Sequence, residues 1–157
     1  ITGYVDVDDR FSTDFSGNGV TIGAATIKNH HFSQELQLQG TTFGDRLNYI
    51  VGAYYFDESG KQNFGWRIIT PLSTSQIQAN TESVAVFGQG DYALTDALKV
   101  TAGVRWVEDK KDFALQFQRL AGNILGAPPL VDAVALDDTY SEVTPRLGVD
   151  YTLATGG

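Results

Sequence analysis

The feature that most constrains this chain is a period of two. From Leu98 to Trp106 the even positions are Leu98, Val100, Ala102, Val104 and Trp106. Between them stand Lys99, Thr101, Gly103 and Arg105. One face is wholly apolar and the other carries no large apolar group, as a β-strand between oil and water requires. The segment from Glu142 to Tyr151 repeats the pattern: Val143, Pro145, Leu147, Val149 and Tyr151 alternate with Glu142, Thr144, Arg146, Gly148 and Asp150. A helix would scatter these residues around its circumference.

Four further segments read as strands. His31 to Thr42 sets Phe32, Leu36 and Leu38 against Ser33, Glu35, Gln37 and Gln39, with Gln34 interrupting the apolar face. Arg46 to Phe56 puts Leu47, Tyr49, Val51, Ala53 and Tyr55 on one side and becomes apolar on both sides towards its end. Glu82 to Leu94 places Val84, Val86, Tyr92 and Leu94 opposite Ser83, Ala85, Gln89 and Asp91, and Ile1 to Asp8 alternates Ile1, Val5 and Val7 with Tyr4, Asp6 and Asp8. The expectation is about six strands, most of ~9–13 residues, near the ~9–11 that cross a bilayer at a tilt.

The connections alternate in length. Phe43-Gly44-Asp45-Arg46 and Thr95-Asp96-Ala97 are short turns with Gly or Asp where turns need them. The other three links, over 9–30, 57–81 and 110–139, are rich in Gly, Ser, Asn, Asp and Gln and read as long loops. Long and short in alternation is the pattern of outer-membrane barrels, with long outer loops and short periplasmic turns. On that assignment Phe32, Tyr55, Trp106 and Tyr140 mark outer strand ends, and Phe43, Tyr92 and Tyr151 mark periplasmic ends. These aromatics are candidates for the interfacial girdles, where amphipathic rings settle at headgroup depth.

Composition narrows the classes further. The chain is 42 % hydrophobic and 19 % charged, which is a folded composition. Its formal net charge of −8 comes without any basic block, so no nucleic-acid partner is expected. It has no cysteine, which excludes disulfides and thiolate metal sites, and no apolar run near the ~20 residues of a membrane helix. There is no Met and no signal peptide, so the chain reads as an internal piece of something longer.

The segments Phe32-Ser33-Gln34-Glu35-Leu36-Gln37-Leu38 and Tyr49-Ile50-Val51-Gly52-Ala53-Tyr54-Tyr55-Phe56 resemble a hairpin of TonB-dependent outer-membrane receptors. So do Ser83-Val84-Ala85-Val86-Phe87-Gly88-Gln89, Tyr92-Ala93-Leu94-Thr95-Asp96 and Leu98-Lys99-Val100-Thr101-Ala102-Gly103-Val104-Arg105. The closing Val143-Thr144-Pro145-Arg146-Leu147-Gly148-Val149-Asp150-Tyr151 is similar to a recurrent barrel strand of that family. The resemblance implies a barrel of about 22 strands around an N-terminal plug, in the outer membrane of a Gram-negative bacterium. It implies uptake of a scarce small-molecule nutrient, a ferric siderophore first among the candidates, driven by the TonB complex acting through the plug. Residues 1–157 carry no TonB box, plug or closing aromatic strand, so they are expected to supply a barrel segment only.

Arg105, Glu142, Arg146 and Asp150 lie on the polar faces of apolar strands and are candidates for a wet lumen that contacts the plug. His30 and His31 are adjacent, so on a strand they point to opposite faces and do not readily share a metal. Glu108-Asp109-Lys110-Lys111-Asp112 reads as a charged strand end leaving the membrane beyond Trp106, and not as acid–base groups. Gly17-Asn18-Gly19 and Gly156-Gly157 lack the strand–glycine–helix context of a phosphate loop. Pro145 inside a strand calls for a late strand start or a bulge. No catalytic constellation, metal site or cofactor is expected.

The expectation is therefore an all-β chain of antiparallel up-and-down strands forming part of a large transmembrane barrel in contact with outer-membrane lipid. Two alternatives remain open at this level: a soluble all-β ligand-binding module such as a sandwich, and a receptor fragment whose open strand edges self-associate into oligomers or cross-β fibrils.

Overall fold

The computed structural model describes residues 1–19, 21–68, 70–119 and 130–153. The pair Gly156-Gly157 and the centre of the third long connection, 120–129, lie outside them. The described residues form six strands: β1 Thr2–Asp14, β2 Thr21–Thr42, β3 Leu47–Ile68, β4 Thr70–Ala93, β5 Leu98–Arg119 and β6 Leu130–Tyr151. They make one sheet in sequence order, each strand antiparallel to the next. The up-and-down order read from the alternation is the order observed.

The short turns stand where the sequence puts them. Phe43, Gly44 and Asp45 all take positive φ, 55°, 64° and 66°, to reverse the chain between β2 and β3. At the β4–β5 turn Thr95 and Leu98 exchange backbone hydrogen bonds of 3.2 and 3.3 Å.

The long loops are a correction. β2 to β6 run for 22 or 24 residues, about twice the expected length, because most of 21–30, 57–81, 110–119 and 130–139 pairs as strand. The physical reason is a change of phase. Past residue 112 the large apolar positions of β5 are Phe113, Leu115 and Phe117, which are odd, whereas from Leu98 to Trp106 they are even. A reading anchored on the even phase sees the alternation end and infers a loop. The charged stretch from Glu108 to Asp112 is where the phase changes and not where the strand ends.

Pro145 needs neither a late start nor a bulge. β6 passes through it in unbroken register, with Val104 opposite. The Thr152 amide donates to the Ala97 carbonyl at 2.8 Å, so even positions of β6 form the hydrogen-bonded pairs with β5. Odd Pro145 therefore lacks a donor that would have pointed away from β5, and their shared ladder loses nothing.

The described residues form a single sheet with no second layer. Its accessible surface is 10843 Å² for 17.0 kDa, where a compact domain of that mass exposes about 7,700 Å². A sandwich, one of the alternatives left open by the sequence, is excluded by this single-layer architecture. Among the described residues only Gly23, Ala25, Ala85 and Thr101 are buried, and the register places all four on the same face. Crowding on one face alone marks the concave side of a curved sheet. That side is called inner below, and the other outer.

Candidate functional site

The lower half of the outer face is an apolar band. Leu36 and Leu38 on β2, Val51 and Ala53 on β3, Val84 and Val86 on β4, Val100 and Val104 on β5, and Val143, Leu147 and Val149 on β6 share it by register. They are exposed to an extent that water would not tolerate in a stable monomer: Leu36 is 66 % exposed and Leu147 85 %. Among the described residues no neighbouring layer covers them.

Aromatic rings border the band along two slanted lines. The upper line runs through Phe32, Tyr55 and Trp106, with Phe32 and Tyr55 rings 6.4 Å apart. The lower line runs through Tyr49, Tyr92 and Tyr151. Phe32 pairs with Asp57, whereas Trp106 leads through Val86 to Ala53, so the upper line drops four residues in three strand steps. Tyr49 leads through Gly90 to Ala102, whereas Tyr151 pairs with Leu98, so the lower line drops by the same amount. At ~3.3 Å per residue and ~4.8 Å between strands this is a slope of about 40°. Strands tilted by that angle against a flat membrane would bring each line to one depth, and ~35–45° is the tilt of outer-membrane barrels. Tyr140 departs from the set: it pairs with Asp109 on the inner face, where its hydroxyl donates to Glu142 at 2.6 Å. Tyr49, not singled out from the sequence, takes a place in the lower line.

The inner face of the lower half is polar on β2 and β6, while β3 and β4 add Ile50, Tyr54, Phe56 and Phe87 to it. Arg105, Glu142, Arg146 and Asp150 all lie on it, opposite Thr144, Val107, Gly103 and Lys99 respectively. The Arg105 guanidinium stands 5.9 Å from the centroid of the Phe87 ring. That ring in turn covers Gly52, where an added Cβ would also meet the Leu36 carbonyl oxygen at 2.8 Å. Glycine is thus the seat that lets Phe87 lie flat and hold Arg105 above the wall. Nearby, Thr101 donates to Asp91 at 2.6 Å and Lys99 lies 3.9 Å from Asp150.

Above the upper aromatic line both faces exchange character. Outside stand Asp57, Ser59, Lys61 and Asn63 on β3 and Glu82, Asn80, Gln78 and Gln76 on β4. Inside, the top rows carry Phe11, Phe64 and Phe117, then Ile27, Ile77, Leu115 and Val134. Phe15 stacks on Trp66 at 5.2 Å, and Phe64 meets Trp66 edge-on at 5.3 Å. Gly23 floors this cluster, for a Cβ there would come within 3.2 Å of the Phe15 ring. Sequence reading missed these residues because they fell in segments taken as loops. His30 is outer and His31 inner, as adjacent strand positions require; His30 Nδ1 lies 2.9 Å from Ser59 Oγ.

The β1–β2 reversal above the cluster is organised by Asp14. Its carboxylate accepts from the Ser16 hydroxyl at 2.7 Å, the Ser16 amide at 3.0 Å and the Gly19 amide. The Ser16 hydroxyl first, then the Gly19 and Ser16 amides, hold its pKa below the usual carboxylate value.

Comparison with known proteins adds two findings. The family model described as TonB dependent receptor-like, beta-barrel matches residues 2–156. The crystal structure of the ferric yersiniabactin uptake receptor FyuA from Yersinia pestis superposes with a TM-score of 0.67 at 22 % identity, over 88 % of this chain. The match takes in 21 % of that receptor, so this chain spans about a fifth of its length.

Proposed function

This chain belongs to the family of TonB dependent receptor-like β-barrels, and from that membership we propose that residues 1–157 are consecutive wall strands of an outer-membrane importer for a ferric siderophore. The family is one of receptors and transporters rather than enzymes. The observation that carries the reading is the exchange of polarity between the two halves of the sheet. A wall that is apolar outside below and apolar inside above is suited to lipid at one level and to an enclosed organic ligand at the other.

In this reading the outer band from the Phe32–Trp106 line to the Tyr49–Tyr151 line contacts outer-membrane lipid of a Gram-negative bacterium. Arg105, Glu142, Arg146 and Asp150 face a wet lumen and the plug carried elsewhere in the parent protein, through which the TonB complex acts. The open edges of β1 and β6 pair with further wall strands of the parent, which removes the hazard of edge-to-edge assembly. The Phe15, Phe64 and Trp66 cluster offers π faces to the organic arms of a metal chelate. Such a ligand is what FyuA is named for.

The test uses the parent gene. Its deletion in iron-starved cells should abolish accumulation of radioactive iron supplied as one ferric siderophore, and the wild-type gene should restore it. Trp66→Ala should weaken ligand binding roughly tenfold, as loss of an aromatic anchor does, with unchanged surface expression. Undiminished uptake of every ferric siderophore supplied, in the deletion strain, would contradict the assignment.

A further inference from the structure

The inner face above the upper aromatic line is unevenly charged. Five carboxylates lie on it: Asp9 on β1, Glu58 on β3, Asp109 on β5, and Asp132 and Asp138 on β6. Among the described residues Lys111 and Arg119 of β5 are the Lys and Arg side chains that share it. None of the five carboxylates is in an ion pair with a described residue. Glu58 accepts from the Asn29 side-chain amide at 3.0 Å, and Asp109 accepts from the Ser83 hydroxyl. Those bonds position the carboxylates without neutralising them. Lys111 does not offset the acids either, because three of the five stand in its own row or the next: Glu58 and Asp138 beside Thr81 and Lys111, with Asp109 one row below. Aromatic rings rise above this row. Phe113 is one row up, Phe64 and Phe117 are three rows up, where Asp132 is the direct partner of Phe117, and Trp66 is four rows up. Trp66, Phe113 and Phe117 each keep more than a third of their surface open, so the rings are accessible from the inside.

We propose that this wall selects ferric siderophores that carry a positive charge: a hydroxamate chelate with a pendant ammonium group, and not a tris-catecholate. The proposal rests on the siderophore reading above and names the ligand class of that same site. Three hydroxamates balance the three positive charges of ferric iron, so one ammonium arm leaves the chelate cationic. Three catecholates carry twice that negative charge, and their chelate is a trianion. An ammonium group is drawn to both kinds of side chain on this wall, to the carboxylates by charge and to the ring faces by their quadrupole. A cleft lined mostly by one sign of charge concentrates ligands of the other sign and repels its own. The rings alone would accept either chelate. The carboxylates make the choice.

The experiment takes the parent receptor purified from the outer-membrane fraction in detergent and measures equilibrium binding of chelates loaded with radioactive iron. The probes are a linear ferric tris-hydroxamate with one free ammonium group, the same chelate with that amine acetylated, and a ferric tris-catecholate. The wild type should bind the first about tenfold more tightly than the second, and the third least of all. Glu58→Gln with Asp138→Asn should weaken binding of the cationic chelate about tenfold, on the scale of roughly threefold for each water-exposed charge. The same pair should bring the two hydroxamates close to parity, with the heat-modifiable mobility of the folded barrel intact. Glu58→Asp with Asp138→Glu should preserve the preference. Added salt should weaken the cationic chelate more than the acetylated one. No binding of the cationic chelate, equal or tighter binding of the acetylated form or of the tris-catecholate, or an unchanged preference in the amide variant would each overturn the proposal. Unimpaired uptake of every ferric siderophore in the deletion strain would instead overturn the functional reading on which it stands.

Discussion

The lower and upper halves of this sheet use the same strands and the same register, yet their faces are opposites. Below Trp106 the outer face is Leu, Val and Tyr, and the inner face carries Arg105, Arg146, Glu142 and Asp150. Above it the outer face is Lys, Asn, Gln and acids, and the inner face carries Phe64, Trp66, Phe113 and Phe117. The backbone does not distinguish the halves. What differs is the phase of the alternation, which on the function proposed above reports the medium each face meets and not the presence of a strand.

The largest expected effect comes from putting charge on the outer face at two heights. Val104→Arg, near the middle of the apolar band, should destabilise the parent barrel by about 2–4 kcal/mol. Gln116→Arg, on the same strand and face but in the upper half, should change stability by less than ~0.5 kcal/mol. Denaturant unfolding in lipid vesicles measures both. Equal effects would mean that one medium bathes the whole outer face.

Glycines on the inner face of β3 give a second contrast. At Gly52 an added Cβ meets the Phe87 ring and the Leu36 carbonyl oxygen, so Gly52→Ala should cost about 1–3 kcal/mol. At Gly60 the nearest atoms are Asn29 Nδ2 at 3.6 Å and Ala79 O at 3.7 Å, which is ordinary contact. Gly60→Ala should therefore be neutral or stabilise by about 0.5–1 kcal/mol. The same unfolding assay separates them, and a loss at Gly60 as large as at Gly52 would show that the upper inner face is packed as tightly as the lower.

The smallest effect is local and concerns pH at the two ends. Asp14 has a lowered folded pKa, so its contribution to the upper turn is complete above the ordinary value of about 3.9 and fades as pH falls through the depressed one. The lower turn between β4 and β5 relies on the neutral Thr95 hydroxyl, which accepts from the Leu98 amide at 3.0 Å. Acid should reduce the hydrogen-exchange protection of the Gly19 amide and leave that of Leu98 unchanged. Parallel loss at both turns would contradict this difference.

How legible the fold was follows from the same contrast. Six strands, their order and the short turns were readable, because in the lower half one face is uniformly apolar and Gly44 or Thr95-Asp96 punctuates the run. Arg105, Glu142, Arg146 and Asp150 were assigned together and do share a face. The upper strands were not legible, since Asn63, Gln76 and Gln116 look like loop residues until their neighbours Phe64, Ile77 and Phe117 are seen to form a single inner face. Tyr140 was assigned to the girdle from its nearness to a strand end. Parity decides its face, and its position is even, whereas the outward apolar residues Val143, Leu147, Val149 and Tyr151 of β6 are odd. The Lys28–Lys61 pairing falls in segments that read as loops, so the register set by the Phe43–Arg46 turn is not carried up to it from the sequence.

The most direct test of the exchange of polarity is cysteine scanning, which the absence of native cysteine in this segment makes clean. Single cysteines are placed along β5 of a cysteine-free parent receptor at Val100, Val104, Asp112 and Gln116 on the outer face, and at Phe113 and Phe117 on the inner one. A membrane-impermeant maleimide is then applied to intact cells. The account predicts rapid labelling at 112 and 116, slower labelling at 113 and 117 that added ligand suppresses, and protection at 100 and 104. Labelling at 104 as fast as at 116 would contradict it, because the outer face would then meet water along its whole height.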